Sequence, residues 1–383
     1  MDDVYKKSLD LHRVNKGKLE ISSKVKINNR EELSLAYTPG IAEVCRQIHA
    51  DKDKSFTHTF RGNTIAIISD GSSVLGLGNI GPEAGLPVME GKAVLFKELA
   101  GVDAFPICID TQDTEEIIKT IKYLSPSFAA INLEDISAPR CFEIEDRLRE
   151  ELSIPVIHDD QHITAVVVLA GIINSIKLRG ALNKKEKIVI NGAGAAGTAI
   201  LKLLLAYGFS DIIICDSVGI VSDSRENLSS DKLELVKISN PRKIKGKLED
   251  AVIEADIFIG VSIANVLSSE MIKNMKEDPI IFALANPLPE IIPEEALKAG
   301  AFIVATGRSD FDNQVNNVSA FPGIFRGLID NKVKQVEKYM LINAAEVIAN
   351  SVTDLKTTNI LPSPLDKEVP KRISEVIAID KKM

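Results

Sequence analysis

The segment IPVIHDDQHITA, Ile154 to Ala165, decides how this 383-residue chain is read. Its apolar run Ile154-Pro155-Val156-Ile157 is too short for a helix and is bounded by polar residues, the pattern of a buried parallel strand. Two adjacent acids, Asp159 and Asp160, close the strand. In an open α/β sheet that carboxyl edge is where ligands bind. A helix is expected over Thr164 to Leu178, so the segment also marks a seam between two series of strands and helices.

Upstream, strands are expected at Ile65 to Ser69, Phe105 to Ile109 and Phe128 to Leu133. The helices between them are Val88 to Ala100, Thr114 to Leu124 and Pro139 to Glu151, the last with proline in its first turn. Residues 1 to about 60 read as charged and irregular, with helical patterning only from Pro39-Gly40 to His49. Strict alternation predicts a mostly parallel sheet with right-handed crossovers. Four strand ends are acidic: Asp70, Asp110, Glu134-Asp135 and Asp159-Asp160. Helix capping and turns account for Asp110 and Asp70. The two doubled pairs repel one another unless a cation neutralises them, which points to a hard divalent metal, Mg²⁺ or Mn²⁺.

Downstream, the strand Lys187 to Asn191 runs into Gly192-Ala-Gly194-Ala195-Ala196-Gly197, then an apolar helix to Tyr207. The next strand, Ile212 to Cys215, is closed by Asp216, 24 positions after Gly192. This is a dinucleotide fingerprint in its proper context, with pyrophosphate on the helix N-terminus and Asp216 on the ribose hydroxyls. The acid favours NAD, and nearby Arg225 softens its repulsion of an NADP 2′-phosphate. Further strands are expected at Ile257 to Val261, Ile280 to Ala285 and Ala301 to Ala305. Asn286 and the Asn316-Asn317 pair follow such strands, where asparagine is equally a turn residue. From Gly323 onward the chain reads as helical.

The net charge of −8 and pI near 5.4 argue against nucleic acid or an anionic membrane as partner. The longest apolar run, Ile163 to Ile173, falls short of a membrane span. MDDVYKKSLD has no apolar core, so no signal peptide is expected, and a cytoplasmic location is. The cysteines Cys45, Cys108, Cys141 and Cys215 are far apart and read as reduced thiols, mostly buried.

Together these segments resemble the malic enzyme family in its short form. The matching stretches are LAYTPGIAEVC (Leu35 to Cys45), the run from Ser69 to Asp110, INLEDISAPRCFEIE (Ile131 to Glu145), the opening segment and the fingerprint. ANPLPE (Ala285 to Glu290), ATGRSDF and NNVSAFPG match as well. The resemblance implies two α/β domains: residues 1–160 for substrate and metal, completed by helices over 320–383, and a Rossmann-type NAD(P)-binding domain over 161–319. It implies oxidation and decarboxylation of malate to pyruvate with NAD, NADP being possible, and the ability to decarboxylate oxaloacetate. Tyr37 would be the general acid and Lys92 the general base. Glu134, Asp135 and Asp160 would hold the metal, with Asp159 steadying Lys92. Asn286, Asn316 and Asn317 would contact the substrate, and Asn286 the cofactor too. A homodimer or higher homo-oligomer is implied.

A lysine acts as base only if its pKa is lowered, which a nearby dication does. Three features depart from the family. Ser72-Ser73 stand where larger animal forms carry a carboxylate-binding arginine, so another group must pair that carboxylate. Ile163 replaces a usual glycine and is expected to restrict cofactor approach. Ala264-Asn265 replaces a glycine-rich turn. Two other readings stay open: a non-decarboxylating hydroxy-acid or amino-acid dehydrogenase, and a non-catalytic NAD sensor.

Overall fold

The computed structural model describes residues 2–180 and 184–380. The chain opens with helices α1 (Asp2–Asn15), α2 (Arg30–Ala36), α3 (Ile41–Ala50) and α4 (Ser55–His58). The first sixty residues are therefore more helical than their charge pattern suggests. The reason is local: Asn29 caps α2 by accepting from the Glu32 amide at 2.9 Å, and no side chain of α2 or α3 is buried.

The first sheet holds β1 (Thr64–Ser69), β2 (Asp103–Cys108), β3 (Ala130–Leu133) and β4 (Val156–His158). All are parallel, in the order β2-β1-β3-β4. Helices α5 (Pro82–Ala100), α6 (Thr114–Leu124) and α7 (Arg140–Glu151) connect them. Proline starts α5 and Gly101, in the left-handed region, stops it. The cap of α6 is Asp113, which accepts from the Glu116 amide at 2.9 Å, and not Asp110.

After β4 the chain makes one wide helical turn, Asp159–Ile163, and continues into α8 (Thr164–Arg179). The continuous stretch Asp159–Arg179 is 21 residues, long and apolar enough to cross a membrane by length and composition, and longer than its apolar run suggests. It is a core helix: the side chains from Ala165 to Ile176 are all buried.

The second sheet has six strands: β5 (Ile188–Asn191), β6 (Ile212–Asp216), β7 (Gly219–Ile220), β8 (Ile257–Gly260), β9 (Ile280–Ala283) and β10 (Ile303–Thr306). Their order is β10-β9-β8-β5-β6-β7, parallel except for β7. The sequence direction reverses between β5 and β8, the place where such sheets take a dinucleotide. Its helices are α9 (Ala195–Tyr207), α10 (Ser230–Ile238), α11 (Leu248–Val252), α12 (Ser269–Lys273) and α13 (Pro293–Lys298).

The chain then returns. Helix α14 (Phe321–Asp330) packs on α5, α15 (Lys338–Asn350) on α8, and α16 (Glu368–Val376) on α14. Phe96 of α5 meets Phe321 at 4.6 Å between ring centroids and Phe325 edge-on at 5.3 Å. Ile163 lies in this core, fully buried, and lines neither of the two large cavities described below. The wide turn faces its side chain inward, so it narrows neither cavity. Asn265 takes the left-handed conformation itself, at φ +60°, which asparagine tolerates better than other side chains. The four cysteines are free; Cys141 and Cys215 are buried, whereas Cys108 is half-buried and Cys45 exposed.

Candidate active site

The carboxyl edges of the two sheets face a shared cleft of about 840 Å³. Pro87, Val88, Gly91, Lys92 and Leu95 form the α5 face that lines it; Glu134, Asp135, Asp159 and Asp160 come from the ends of β3 and β4. Opposite them lie Ala196, Asn286, Asn316 and Asn317. The glycine-rich loop after β1 reaches across: a Cβ on Gly76, at φ +74°, would sit 2.6 Å from the Asn286 carbonyl oxygen, so only glycine permits the approach.

Lys92 is 7 % exposed, and its ammonium sits 2.5 Å from Glu134 and 2.6 Å from Asp159, over the Phe321 ring at 4.6 Å. Burial alone would lower its pKa, but the Asp159 and Glu134 carboxylates outweigh burial and hold it above the ordinary lysine value. The carboxylate cage by itself thus keeps Lys92 protonated, against the lowered pKa that a base requires. Asn317 donates to the other Asp159 oxygen at 2.5 Å and bonds Thr164. Asn316, also on the cleft wall, caps the following turn, its Oδ1 accepting from the Val318 amide at 3.0 Å.

Glu134, Asp159 and Asp160 each offer an oxygen within 4.8 Å of the others. Asp135 donates its backbone amide to Asp160 at 3.0 Å, while its own Oδ2 is buried without a partner among the described residues. Burial, then the repulsion of Asp159, drives Glu134 well above the usual carboxylate range; burial and Asp160 push Asp135 up to about 8. Such uncompensated carboxylates, all oxygen donors, fit a hard divalent cation. The oxygens that converge are those of Glu134, Asp159 and Asp160, with Asp135 beside them, and Lys92 engages both Glu134 and Asp159.

Several supporting residues lie outside the set of site residues that the sequence points to. Glu145, 2 % exposed, accepts from the His158 amide at 2.9 Å, and from Gln161 and His162 at 3.0 Å each, so it holds the turn that carries Asp159 and Asp160. Glu290, fully buried, accepts from the Ser262 and Ala285 amides at 3.0 Å and fixes two loops of the second sheet. Arg140 and Ser72 both bond Asp70. His12 and Lys18 line the cleft from a segment that reads as irregular. Tyr37 is not in this cleft: it ends α2 and is 66 % exposed.

A second cavity of about 580 Å³ is lined by Gly192, Gly194, Asp216, Lys232 and Lys247. A Cβ on Gly197 would fall 1.7 Å from the Gly192 carbonyl oxygen, so the fingerprint turn requires glycine there. Ala195 begins α9, whose N-terminus faces the loop. Asp216 bonds Arg225 at 2.8 Å, Lys232 at 2.6 Å and the Val218 amide at 2.9 Å. Burial alone would raise its pKa; those bonds hold it well below the usual carboxylate range.

Two family descriptions match the chain: malic enzyme, N-terminal domain, over residues 16–149, and malic enzyme, NAD binding domain, over 162–380. The bifunctional malic/malolactic enzyme of Bacillus subtilis is 54 % identical, covering 97 % of this chain and 91 % of its own length. The NAD-dependent malic enzyme of Geobacillus stearothermophilus is 51 % identical over 94 % of this chain and 76 % of its own. The crystal structure of the NAD-dependent malic enzyme from Thermotoga maritima superposes with a TM-score of 0.94 at 50 % identity, covering 96 % of this chain and 98 % of that one. Acidic strand ends, the buried lysine between them and the dinucleotide fold thus occur together with extended likeness in sequence and in structure, and the chain belongs to the malic enzyme family.

Proposed function

We propose that the chain oxidises malate to pyruvate and CO₂ with reduction of NAD, accepts NADP as well, and decarboxylates oxaloacetate. The observation that carries this is Lys92, buried between Glu134 and Asp159 in a cleft whose far wall is the dinucleotide-binding sheet. Hydride leaves C2 only as the C2 hydroxyl loses its proton, so a base must stand beside that oxygen. Lys92 is our candidate. A divalent cation on Glu134, Asp135 and Asp160 would disfavour the ammonium and polarise the C2 carbonyl for loss of CO₂. Asn317 keeps Asp159 turned toward Lys92, and Asn286 stands at the wall where substrate and nicotinamide would meet. We assign residues 1–160 and 320–383 to substrate and metal, and 161–319 to the dinucleotide.

The enol of pyruvate needs a proton at C3, and Tyr37 is our candidate donor. Because its ring lies outside its own chain's cleft, the role requires a second copy to present it. The N-terminal segment supports that reading. Twelve large apolar side chains between Val4 and Tyr37 are exposed, Ile21 at 88 %, more than a lone chain is expected to leave in water. A homodimer that covers this segment fits, as does a cytoplasmic location.

The test is malate with each dinucleotide, with and without Mn²⁺, following CO₂ and reduced cofactor together. Turnover that survives full chelation would support a plain dehydrogenase; cofactor binding without pyruvate would support a sensor. One further reading is favoured by the Bacillus subtilis relative, named for a malolactic activity. Lactate among the products of the same assay would extend that activity to this chain.

A further inference from the structure

The substrate proposed above carries two carboxylates, and the cleft is already acidic. Its lining holds Glu134, Asp135, Asp159 and Asp160 against the ammonium of Lys92, which two of them engage. The four carboxylates outnumber the charges of Lys92 and a bound dication together. A dianion therefore needs another cation in contact with it. Ser72, at the place where larger animal forms carry an arginine, donates to Asp70 at 2.6 Å. Arg140 is engaged by Asp70 at 2.8 Å, and Arg308 is bound by both oxygens of Asp310, at 2.8 and 2.6 Å.

Lys18 differs. It lines the cleft just beyond α1, and its Nζ lies 3.3 Å from the point a Cβ on Gly91 would occupy. The Lys18 ammonium thus lies close against this face of α5, one residue from Lys92. The Lys18 amide donates to Glu90 at 3.2 Å and its Nζ to the Pro87 carbonyl at 2.8 Å, so backbone and head group are both held. An ammonium has three N–H donors, and the Pro87 carbonyl takes one. Unlike Lys92, it makes no ion pair with a carboxylate among the described residues.

We propose that Lys18 pairs with the substrate carboxylate that the acidic cluster and its cation do not hold, selecting dicarboxylates over 2-hydroxy monocarboxylates. The proposal rests on malate being the substrate. It explains how a member with Ser72-Ser73 in place of an arginine can grip a dianion.

The test compares Lys18→Met, which keeps length and removes charge, with Lys18→Arg, which keeps charge. In Lys18→Met the KM for malate should rise about tenfold, with kcat and the KM for NAD within about twofold; Lys18→Arg should recover most of the loss. Inhibition by tartronate, a hydroxy dicarboxylate, should weaken by the same factor, while inhibition by glycolate, its monocarboxylate counterpart, stays unchanged. An unchanged KM for malate, or equal weakening of tartronate and glycolate, would overturn the proposal and leave Lys18 a clamp on Pro87. Should the wild-type protein release no CO₂ from malate, the functional reading falls first. Calorimetric binding of tartronate against glycolate with Mn²⁺ then still decides on Lys18.

Discussion

Asn317 donates its side-chain amide to Asp159 at 2.5 Å, joining the chain after the second sheet to the carboxyl edge of the first. Asp159 offers its other oxygen to Lys92 at 2.6 Å, so two residues far apart in sequence hold one carboxylate from opposite sides. The position of the lysine is thereby coupled to the packing of the two sheets against each other. A site built this way should respond to substitution in stability as well as in rate.

Lys92→Ala is the first case. Loss of a general base lowers kcat by about 10²- to 10⁴-fold. It also leaves Glu134 and Asp159 buried without their cation, a defect of roughly 3–5 kcal/mol in stability. Mn²⁺ should restore much of that stability and none of the rate. NADH formation and melting temperature, each with and without Mn²⁺, separate the two effects; a rate within tenfold of wild type would remove Lys92 from the role of base.

Asp135 governs the second. Burial and Asp160 push its pKa up to about 8 in the metal-free protein, against about 4 when unfolded. Between those values the folded state binds more protons than the unfolded one, so stability falls as pH rises from about 4 to about 8. In EDTA the melting temperature should decline across that window. Only the ionised carboxylate ligates, so Mn²⁺ binding should release protons near pH 7 and tighten toward pH 8. Calorimetry in buffers of different ionisation enthalpy reads the protons directly, and no release would mean that Asp135 is not a ligand.

Periodicity made both sheets legible, because buried parallel strands and their crossover helices alternate in the sequence itself. It also made the acids legible, since doubled carboxylates at strand ends have no common structural cause. Glu145 and Glu290 were not legible. Each is a single acid at the end of a stretch that matches the family, and its role depends on backbone amides that only folding brings to it. Of the N-terminal helices only α3 carries a pattern the sequence shows; the short α2 is set by its Asn29 cap rather than by a buried face. Ile163 shows the opposite limit: its identity was plain, but the wide turn that sends it into the core was not.

Tyr37 supplies a test of assembly. If it serves the cleft of a second copy, Tyr37→Phe and Lys92→Ala chains should complement each other. In a random mixture of co-expressed chains of a two-fold dimer, about one site in four is then intact. If each site draws on a single chain, none is. Malate oxidation by the co-expressed pair, compared with either variant alone, should therefore recover to about a quarter of wild type. No recovery would reject the exchange.

Cofactor choice turns on the surroundings of Asp216. A lone carboxylate at this strand end repels a 2′-phosphate, but here Arg225 and Lys232 both pair with it. Its pKa is held below the usual range, so it remains charged throughout the working pH, and the two cations more than offset that charge. Lys232→Gln removes one of them without touching the fingerprint. The dissociation constant for NADPH should rise about tenfold, while that for NADH stays level or falls as Asp216 becomes freer to meet the ribose hydroxyls. Fluorescence titration of both reduced cofactors measures this without turnover. If both constants move together, Lys232 acts only by holding Asp216 in place, and acceptance of NADP must be explained by Arg225 or Lys247 instead.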